Sequence, residues 1–289
     1  MTAFRPGPQA AAPVLASLDT PSDTRDAAPH RTVIVGARGR MGAMFRRRAR
    51  SVGVHVEGID IPFDDDAVAA ACAGADLLLL CVPVAVLAET LQTFVPHLPP
   101  AAIVADITSV KEQPMTLMQR YWPGPVVGTH PLFGPGAHND EPQPVAVVPG
   151  TTADDAHVRL VAAFFEAIGC RPFLTTAAEH DKAVARIQNL NFITNLVYFA
   201  LLADDDSLTP FLTPSFRRRH AAARKMLTED APMFAGLFDA NPYSQEAVRQ
   251  YSKLLNIASA GDIDLLCNRA VHWWPDASLP EHAREEEGK

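Results

Sequence analysis

The stretch Thr32-Val33-Ile34-Val35-Gly36-Ala37-Arg38-Gly39-Arg40-Met41-Gly42 decides the fold. Its first four residues are all β-branched and predict a buried strand, and the residues from Met41 onward have helical character. Three glycines therefore lie between a strand and a helix, as they do in dinucleotide-binding loops. There the first glycine allows a tight turn, the second lets the backbone approach a pyrophosphate, and the third lets strand and helix pack closely.

The spacing of these glycines, G-x-x-G-x-x-G, is a variant of the usual fingerprint, and three glycines near a turn are often only a turn. The helix that follows would turn its free N–H groups toward the phosphates of a bound dinucleotide. We predict that the loop binds a dinucleotide through Gly36, Arg38, Gly39, Arg40, Met41 and Gly42.

A second predicted strand, residues 54–60, ends in Asp60, 24 residues after Gly36. A carboxylate at this position can accept hydrogen bonds from the ribose of an adenosine, although a solvated strand end is the alternative. Residues 62–66 include Asp64-Asp65-Asp66 and no Arg or Lys, so a 2′-phosphate would be repelled. The sequence therefore favours NAD over NADP.

Further strand-like runs at residues 75–82, 101–107 and 125–128 alternate with helical or loop segments, which predicts an α/β domain with a parallel sheet. Ligands of such sheets bind beyond the carboxyl ends of the strands. We place Val82 and Pro83 beside the cofactor at one strand end. Ser109 follows the next strand, where its hydroxyl can face the ligand, cap the following helix, or do both.

The stretch Val127-Gly128-Thr129-His130-Pro131-Leu132-Phe133-Gly134-Pro135 places one titratable side chain at the end of a predicted strand. Proline and glycine on both sides make the surrounding backbone rigid. A histidine is more often structural than catalytic, but this one would face a nicotinamide. We therefore predict that His130 is catalytic, since an imidazole titrates near neutral pH.

The pattern changes to helical after residue 176. Residues 177–204 contain neither Pro nor Gly and predict one long helix, whose stripe of apolar residues must be buried. We divide the chain into a Pro- and Ala-rich leader (1–30), a Rossmann-like α/β domain (31–176), an all-α domain (177–275) and a flexible tail (276–289). The leader lacks the charged start and apolar core of a secretory signal.

The composition excludes several classes of protein. A net charge of −8 over 289 residues disfavours a nucleic-acid binder, which needs a basic face. The four cysteines are far apart and lack metal-ligand or redox spacing, so we expect free thiols in a reducing cytoplasm and no metal site. No apolar run is long enough to cross a bilayer.

Four motifs together resemble the prephenate dehydrogenase family: the glycine loop, the D-x-x-S-V-K pattern from Asp106 to Lys111, G-T-H-P-L-F-G-P from Gly128 to Pro135, and Glu179-His180-Asp181. The resemblance runs in order from about residue 31 to about residue 275. It is greatest to the dehydrogenase portions of bacterial bifunctional chorismate mutase–prephenate dehydrogenases. The first 30 residues are too short and too Pro-rich for a mutase domain, so we expect a free-standing dehydrogenase.

The resemblance implies an NAD-dependent oxidative decarboxylation of a cyclohexadiene. It implies that His130 accepts the proton of the ring 4-hydroxyl and that Ser109 hydrogen-bonds the same oxygen and His130. It also implies a homodimer formed around the long helix. The substrate-binding residues that we carry over are Thr129, His180 (with a surface histidine as the alternative), Gln188 and Arg249, the last as the partner of the ring carboxylate.

One departure from the family concerns the substrate. Asn191-Phe192 stands where the bacterial relatives commonly have Arg-His. We expect prephenate as the substrate, with 4-amino-4-deoxyprephenate, an intermediate of antibiotic biosynthesis, as the alternative and arogenate as a third candidate. A nucleotide-sensing protein without turnover is a further alternative. A β-hydroxyacid dehydrogenase would use a Lys of the helical half and would lack the G-T-H-P-L-F-G-P stretch.

Overall fold

The computed structural model of the chain describes residues 28–136, 143–203 and 205–274. The predicted tail and residues 1–27 of the predicted leader lie outside these ranges.

Seven strands form one sheet in the described part of the chain, in the order β2-β1-β3-β4-β5-β6-β7. The first four strands contain four residues each, and the dinucleotide loop follows directly after β1. The strands are β1 (Thr32–Val35), β2 (Val56–Ile59), β3 (Leu77–Leu80), β4 (Ile103–Asp106), β5 (Val126–Pro131), β6 (Pro144–Pro149) and β7 (Arg171–Leu174).

The strands from β1 to β5 pair in parallel, as the sequence predicted, and the sheet is antiparallel only between β5 and β6 within the described residues. The antiparallel pairing also extends β5 beyond the predicted end at Gly128. His130 lies opposite Ala146 and therefore belongs to the strand itself. The hydrogen-bonded ladder holds the backbone of His130 in place, which a loop position would not.

Helices cover both faces of the sheet. The first five are α1 (Arg40–Ser51), α2 (Asp65–Cys72), α3 (Val84–Phe94), α4 (Glu112–Tyr121) and α5 (Asp155–Ala167). Helices α1 and α5 pack on one face, where Phe45 meets Phe165 edge to face at 5.7 Å. Helices α2, α3 and α4 bury their apolar residues against the other face. The domain is thus a three-layer α/β fold of the Rossmann type.

The helical half begins with α6 (Ala177–Val184), which continues through a π-helical turn (Ala185–Asn189) into α7 (Leu190–Leu201). The later helices are α8 (Pro214–Thr228), α9 (Ala231–Ala240), α10 (Ser244–Ser259) and α11 (Ile263–Val271). The single long helix predicted from the sequence is therefore interrupted by one wide turn. Such turns are frequent at functional sites. None of the helices in the described ranges is long and apolar enough to cross a bilayer.

The predicted apolar stripe of the long helix is not buried within the chain. Ile187, Val197 and Leu201 are 62%, 61% and 79% exposed. The described part of the chain therefore does not provide the burial that the sequence predicted for this stripe.

Candidate active site

The glycine loop has the backbone geometry that close approach to a phosphate requires. Gly36 follows β1 with φ of +79°, and a Cβ on it would lie 2.5 Å from the carbonyl oxygen of Cys81. A Cβ on Gly42 would overlap the carbonyl oxygen of Gly36, so only glycine lets α1 start this close to β1. The Gly39 N–H donates to the Gly36 carbonyl at 3.0 Å and closes the turn.

We expect Gly36→Ala to lower both the free energy of unfolding and dinucleotide affinity, measured by urea denaturation and by titration with NAD⁺. A left-handed φ costs an alanine about 1–2 kcal/mol, and overpacking against Cys81 adds roughly 1–3 kcal/mol. Gly53→Ala is the matched control, because Gly53 has the same φ of +79° but open space around its Cα. Equal losses in the two variants would contradict the close-packed loop.

Asp60 lies next to the loop, just beyond the end of β2. Its carboxylate accepts a hydrogen bond from the Arg38 N–H at 2.6 Å, and the Arg38 guanidinium lies 3.6 Å from its other oxygen. Asp60 is only partly exposed, whereas the Arg38 side chain is largely in solvent. The structure therefore brings together the acid and the loop, as the sequence predicted, with Arg38 as an added partner.

The other predicted cofactor residues lie around this loop, and some of their side chains contact other parts of the protein. Arg40, the first residue of α1, reaches Asp230 of the helical half at 3.6 Å. Met41 is half-buried and packs against the core. Val82 lies against Gly36 after β3, and the exposed Pro83 precedes the first turn of α3. The carboxyl ends of β1, β2 and β3 thus form one cleft edge.

His130 is buried on β5 and is joined to two residues of α6. Its Nδ1 lies 2.9 Å from Nε2 of His180, and Nδ1 of His180 lies 2.7 Å from a carboxylate oxygen of Asp181. In the described ranges no protein group hydrogen-bonds the second ring nitrogen of His130, Nε2. The three side chains form a continuous chain of hydrogen bonds that leaves this nitrogen for a ligand.

Asp181 also anchors α6 to α4. Its two oxygens accept the backbone N–H groups of Lys111 and Glu112 at 2.7 and 2.9 Å, which caps the start of α4. The side-chain amide of Asn241 donates to the Asp181 carbonyl at 2.8 Å. The carboxylate is completely buried. The loop that carries Ser109 is therefore tied directly to the helix that carries His180.

A buried ion pair lies beneath the site. The ammonium of Lys111 contacts both oxygens of Asp106 at 2.7 and 2.6 Å and donates to the Thr129 carbonyl at 2.6 Å. Both side chains are fully buried. Burial lowers the pKa of Lys111, and the carboxylate of Asp106 opposes that shift. Lys111 therefore belongs to the interior of the protein and not to the surface of α4.

Ser109 is half-buried in the segment between β4 and α4 and does not cap the helix. The N-cap position is Lys111, and Asp181 supplies the capping oxygens. Within the described residues the Ser109 hydroxyl has no protein partner. The alternative of a helix cap is therefore excluded, and the hydroxyl is free to meet a ligand.

Three predicted substrate residues are placed differently from the prediction. The Thr129 hydroxyl is buried and donates to the Asp106 carbonyl at 2.5 Å, so it stabilises the sheet. Both ring nitrogens of His180 are occupied by His130 and Asp181. Arg249 is 62% exposed on α10 and pairs with Glu246 at 2.9 Å, on the same helix. Thr129 and His180 thus have their polar side-chain atoms occupied by protein groups, and the substrate contacts of all three residues stay predictions. Gln188, half-buried in the π-helical turn, stays a prediction.

The sequence argument missed Asp106, Lys111, Asp181 and Asn241 as members of the site. The first two stand at the ends of the D-x-x-S-V-K pattern, and Asp181 directly follows His180. Two opposite charges five positions apart, in a segment without other charged residues, were the available signal for a buried pair.

The pKa of His130 is held well below its usual value of 6.5, first by burial and then because a positive charge on His180 or on Lys111 would repel the imidazolium form of His130. The imidazole is therefore neutral at ordinary pH. A neutral, buried imidazole with one free nitrogen at the edge of a cofactor cleft is suited to accepting a proton.

The fold and the glycine loop define a dinucleotide-binding protein with an appended helical domain. Residues 46–174 match the family model described as prephenate dehydrogenase, nucleotide-binding domain. The T-protein of Haemophilus influenzae is 29% identical over 213 residues, which are 72% of this chain and 55% of the relative. The 4-amino-4-deoxyprephenate dehydrogenase of Streptomyces pristinaespiralis is 30% identical over 175 residues, 55% of this chain and 58% of the relative. Over its nucleotide-binding part the chain is similar to the prephenate dehydrogenase family.

The fold also matches solved structures. The prephenate dehydrogenase of A. aeolicus, in complex with hydroxyphenyl propionate and NAD⁺, superposes with a TM-score of 0.68. The match has 20% sequence identity and covers 83% of this chain and 94% of that one. The chain spans less than two thirds of the length of both curated relatives compared above.

Proposed function

We propose that the chain is an NAD-dependent dehydrogenase that oxidatively decarboxylates prephenate to 4-hydroxyphenylpyruvate. The observation that carries the proposal is the neutral, buried His130 with Nε2 free, in the G-T-H-P-L-F-G-P stretch beside a dinucleotide cleft. The match of residues 46–174 to the nucleotide-binding domain of prephenate dehydrogenases supports it, and so does the likeness in fold to the A. aeolicus enzyme, which was solved with NAD⁺. Retention of both His130 and Ser109 argues against a protein that only senses nucleotides.

The residues present fit NAD. Gly36, Gly39 and Gly42 form a tight loop in which a Cβ would crowd backbone carbonyl oxygens. This loop leads into α1, whose first N–H groups can face the pyrophosphate. The carboxylate of Asp60 can accept the ribose hydroxyls, and Asp64 to Asp66 disfavour a 2′-phosphate. When bound, NAD⁺ supplies the hydride acceptor.

The chemistry requires little covalent help from the protein. The C4–H bond of the substrate breaks with its electron pair on the hydride, and the pair of the ring–carboxylate bond enters the ring as CO₂ leaves. Nε2 of His130 accepts the 4-hydroxyl proton as C4 becomes electron-poor, and it can return that proton to the phenolate product. Ser109 donates to the same oxygen and orients it. Burial excludes water, and aromatisation provides much of the driving force.

The second candidate substrate is 4-amino-4-deoxyprephenate. Phe192, which replaces a basic residue of the bacterial relatives, is buried and stacks on Phe234 at 5.5 Å. Phe192 therefore offers no charged or polar group to a substrate, and the similarity to the S. pristinaespiralis enzyme points the same way. Comparing kcat/KM for prephenate, its 4-amino analogue and arogenate decides among the three. If none of them produces NADH, the chain is not a dehydrogenase of this type.

We expect the acid limb of kcat/KM with prephenate to lie below pH 6.5. The parameter reports the free enzyme, in which the pKa of His130 is lowered from 6.5. Protonation at low pH removes the base, so the rate falls as pH drops through that lowered pKa and is constant above it. Steady-state rates across the acid range measure it. An acid limb centred at or above pH 6.5 would contradict a desolvated base.

We also propose that the helical half forms a homodimer. The apolar residues exposed on α7 and α11 and after them include Val197, Leu201, Leu265, Trp273 and Trp274. Exposed apolar patches of this kind mark association surfaces. Sedimentation equilibrium should give twice the chain mass, and Leu201→Glu should shift the protein toward monomer.

A further inference from the structure

We infer that His180 and Asp181 are positioning residues, which hold His130 in the one tautomer that presents a free lone pair on Nε2 to the substrate. The inference rests on the proposed function, because it concerns how the base of that reaction is prepared. In this role both residues act through His130, and neither contacts the substrate.

The direction of each hydrogen bond in the series His130–His180–Asp181 follows from its final acceptor, the Asp181 carboxylate. Asp181 accepts from two backbone N–H groups and from His180, so it is the carboxylate and not the acid. In a neutral His180, Nδ1 must then carry the single proton. Its Nε2 is left as an acceptor, and the hydrogen bond to His130 at 2.9 Å needs a proton on Nδ1 of His130.

A neutral imidazole has one proton, so Nε2 of His130 is unprotonated. That nitrogen is the one without a protein partner in the described ranges. The order His130–His180–Asp181 thus places the lone pair on the open side of the ring. If the tautomer were reversed, Nε2 would donate a hydrogen bond and could not take the hydroxyl proton.

The charged groups around His180 and Asp181 are consistent with this assignment of the tautomer. The ammonium of Lys111 is hydrogen-bonded to Asp106 and to the Thr129 carbonyl, and Asp181 acts on it only as a further negative charge without a direct contact to the ammonium. Glu112, the neighbour on α4, accepts from the Tyr243 hydroxyl at 2.7 Å, and Lys182 lies over the Tyr243 ring. Asp181 therefore remains the group that faces His180. When His130 takes a proton, this buried carboxylate stabilises the new positive charge through His180.

The first test observes the tautomer directly. Two-bond ¹H–¹⁵N spectra of the histidine side chains in the full chain, above the pKa of His130, should show Nδ1 protonated and Nε2 unprotonated for His130. His180→Leu, which removes the acceptor, should shift the population toward the other tautomer. A wild-type spectrum with the proton on Nε2 would overturn the inference, whatever the substrate.

The second test uses turnover. His180→Leu should lower kcat on the order of 10²-fold, within the range for a misplaced general base, with a smaller change in KM. His180→Gln keeps an acceptor oxygen and should recover part of that loss. His157→Gln is the matched control, because His157 pairs with Asp154 at the same 2.7 Å on the surface of α5. An unchanged kcat in a folded His180→Leu variant would refute the positioning role.

The two proposals fail in different ways. If the wild-type chain turns over none of the candidate substrates, the proposed function fails, but the spectra still report whether His180 sets the tautomer of His130. If the wild type is active and both His180 variants keep its kcat and its acid limb, the positioning role fails and the dehydrogenase assignment stands.

Discussion

His130→Asn should retain NAD⁺ binding and lose on the order of 10²–10⁴ in kcat with prephenate, the usual contribution of a general base. The substitution removes Nε2, which is the nitrogen that faces the ligand. The shorter amide can still donate to Nε2 of His180 from about the position of Nδ1. The variant is therefore expected to fold, and the loss should appear in kcat rather than in cofactor affinity.

The measurement is NADH absorbance for turnover and fluorescence titration for NAD⁺ binding. His55→Asn is the control, since His55 is exposed before β2 and should behave as wild type. With the 4-amino analogue the loss in His130→Asn should be smaller, because an amine needs less help from a base. If kcat with prephenate were unchanged, His130 would not be the base.

Lys111→Met should lower the free energy of unfolding by about 3–5 kcal/mol, the cost of leaving one partner of a buried ion pair without the other. The Asp106 carboxylate would keep its hydrogen bonds from Thr108 but lose the ammonium that touches both of its oxygens. Such a loss is a large fraction of the stability of an ordinary domain. Urea denaturation at pH 7 measures it.

The double variant Asp106→Asn/Lys111→Met is the matched control, because it removes both charges and keeps an acceptor for Thr108. It should be more stable than Lys111→Met alone. The loss of unfolding free energy in Lys111→Met should also become smaller at lower pH. The unpaired, buried Asp106 carboxyl of this variant has a raised pKa, so its protonation favours the folded state. A single variant as stable as wild type, with no pH dependence of the difference, would show that the pair does not stabilise the fold.

Local patterns predicted the parts of the site that depend on backbone geometry. The loop from Gly36 to Gly42 lies between a strand and a helix as predicted, since glycine is required wherever a Cβ would strike a carbonyl. The carboxylate of Asp60 meets this loop because β2 and β1 are parallel neighbours. The assignment of Arg249 to the ring carboxylate had no such local basis, and the structure places that side chain against Glu246 in solvent.

The sequence by itself determined the alternation of strands and helices, the glycine loop, and the presence of one histidine in a rigid stretch. These depend on residues close together in the chain. Only the tertiary structure decided that His130 contacts His180, 50 positions away, and that Asp181 caps a helix 69 and 70 positions earlier. Hydrogen-bond partners of buried polar groups are set by which elements pack together, and nothing in the local pattern around His130 or Asp181 encodes that packing.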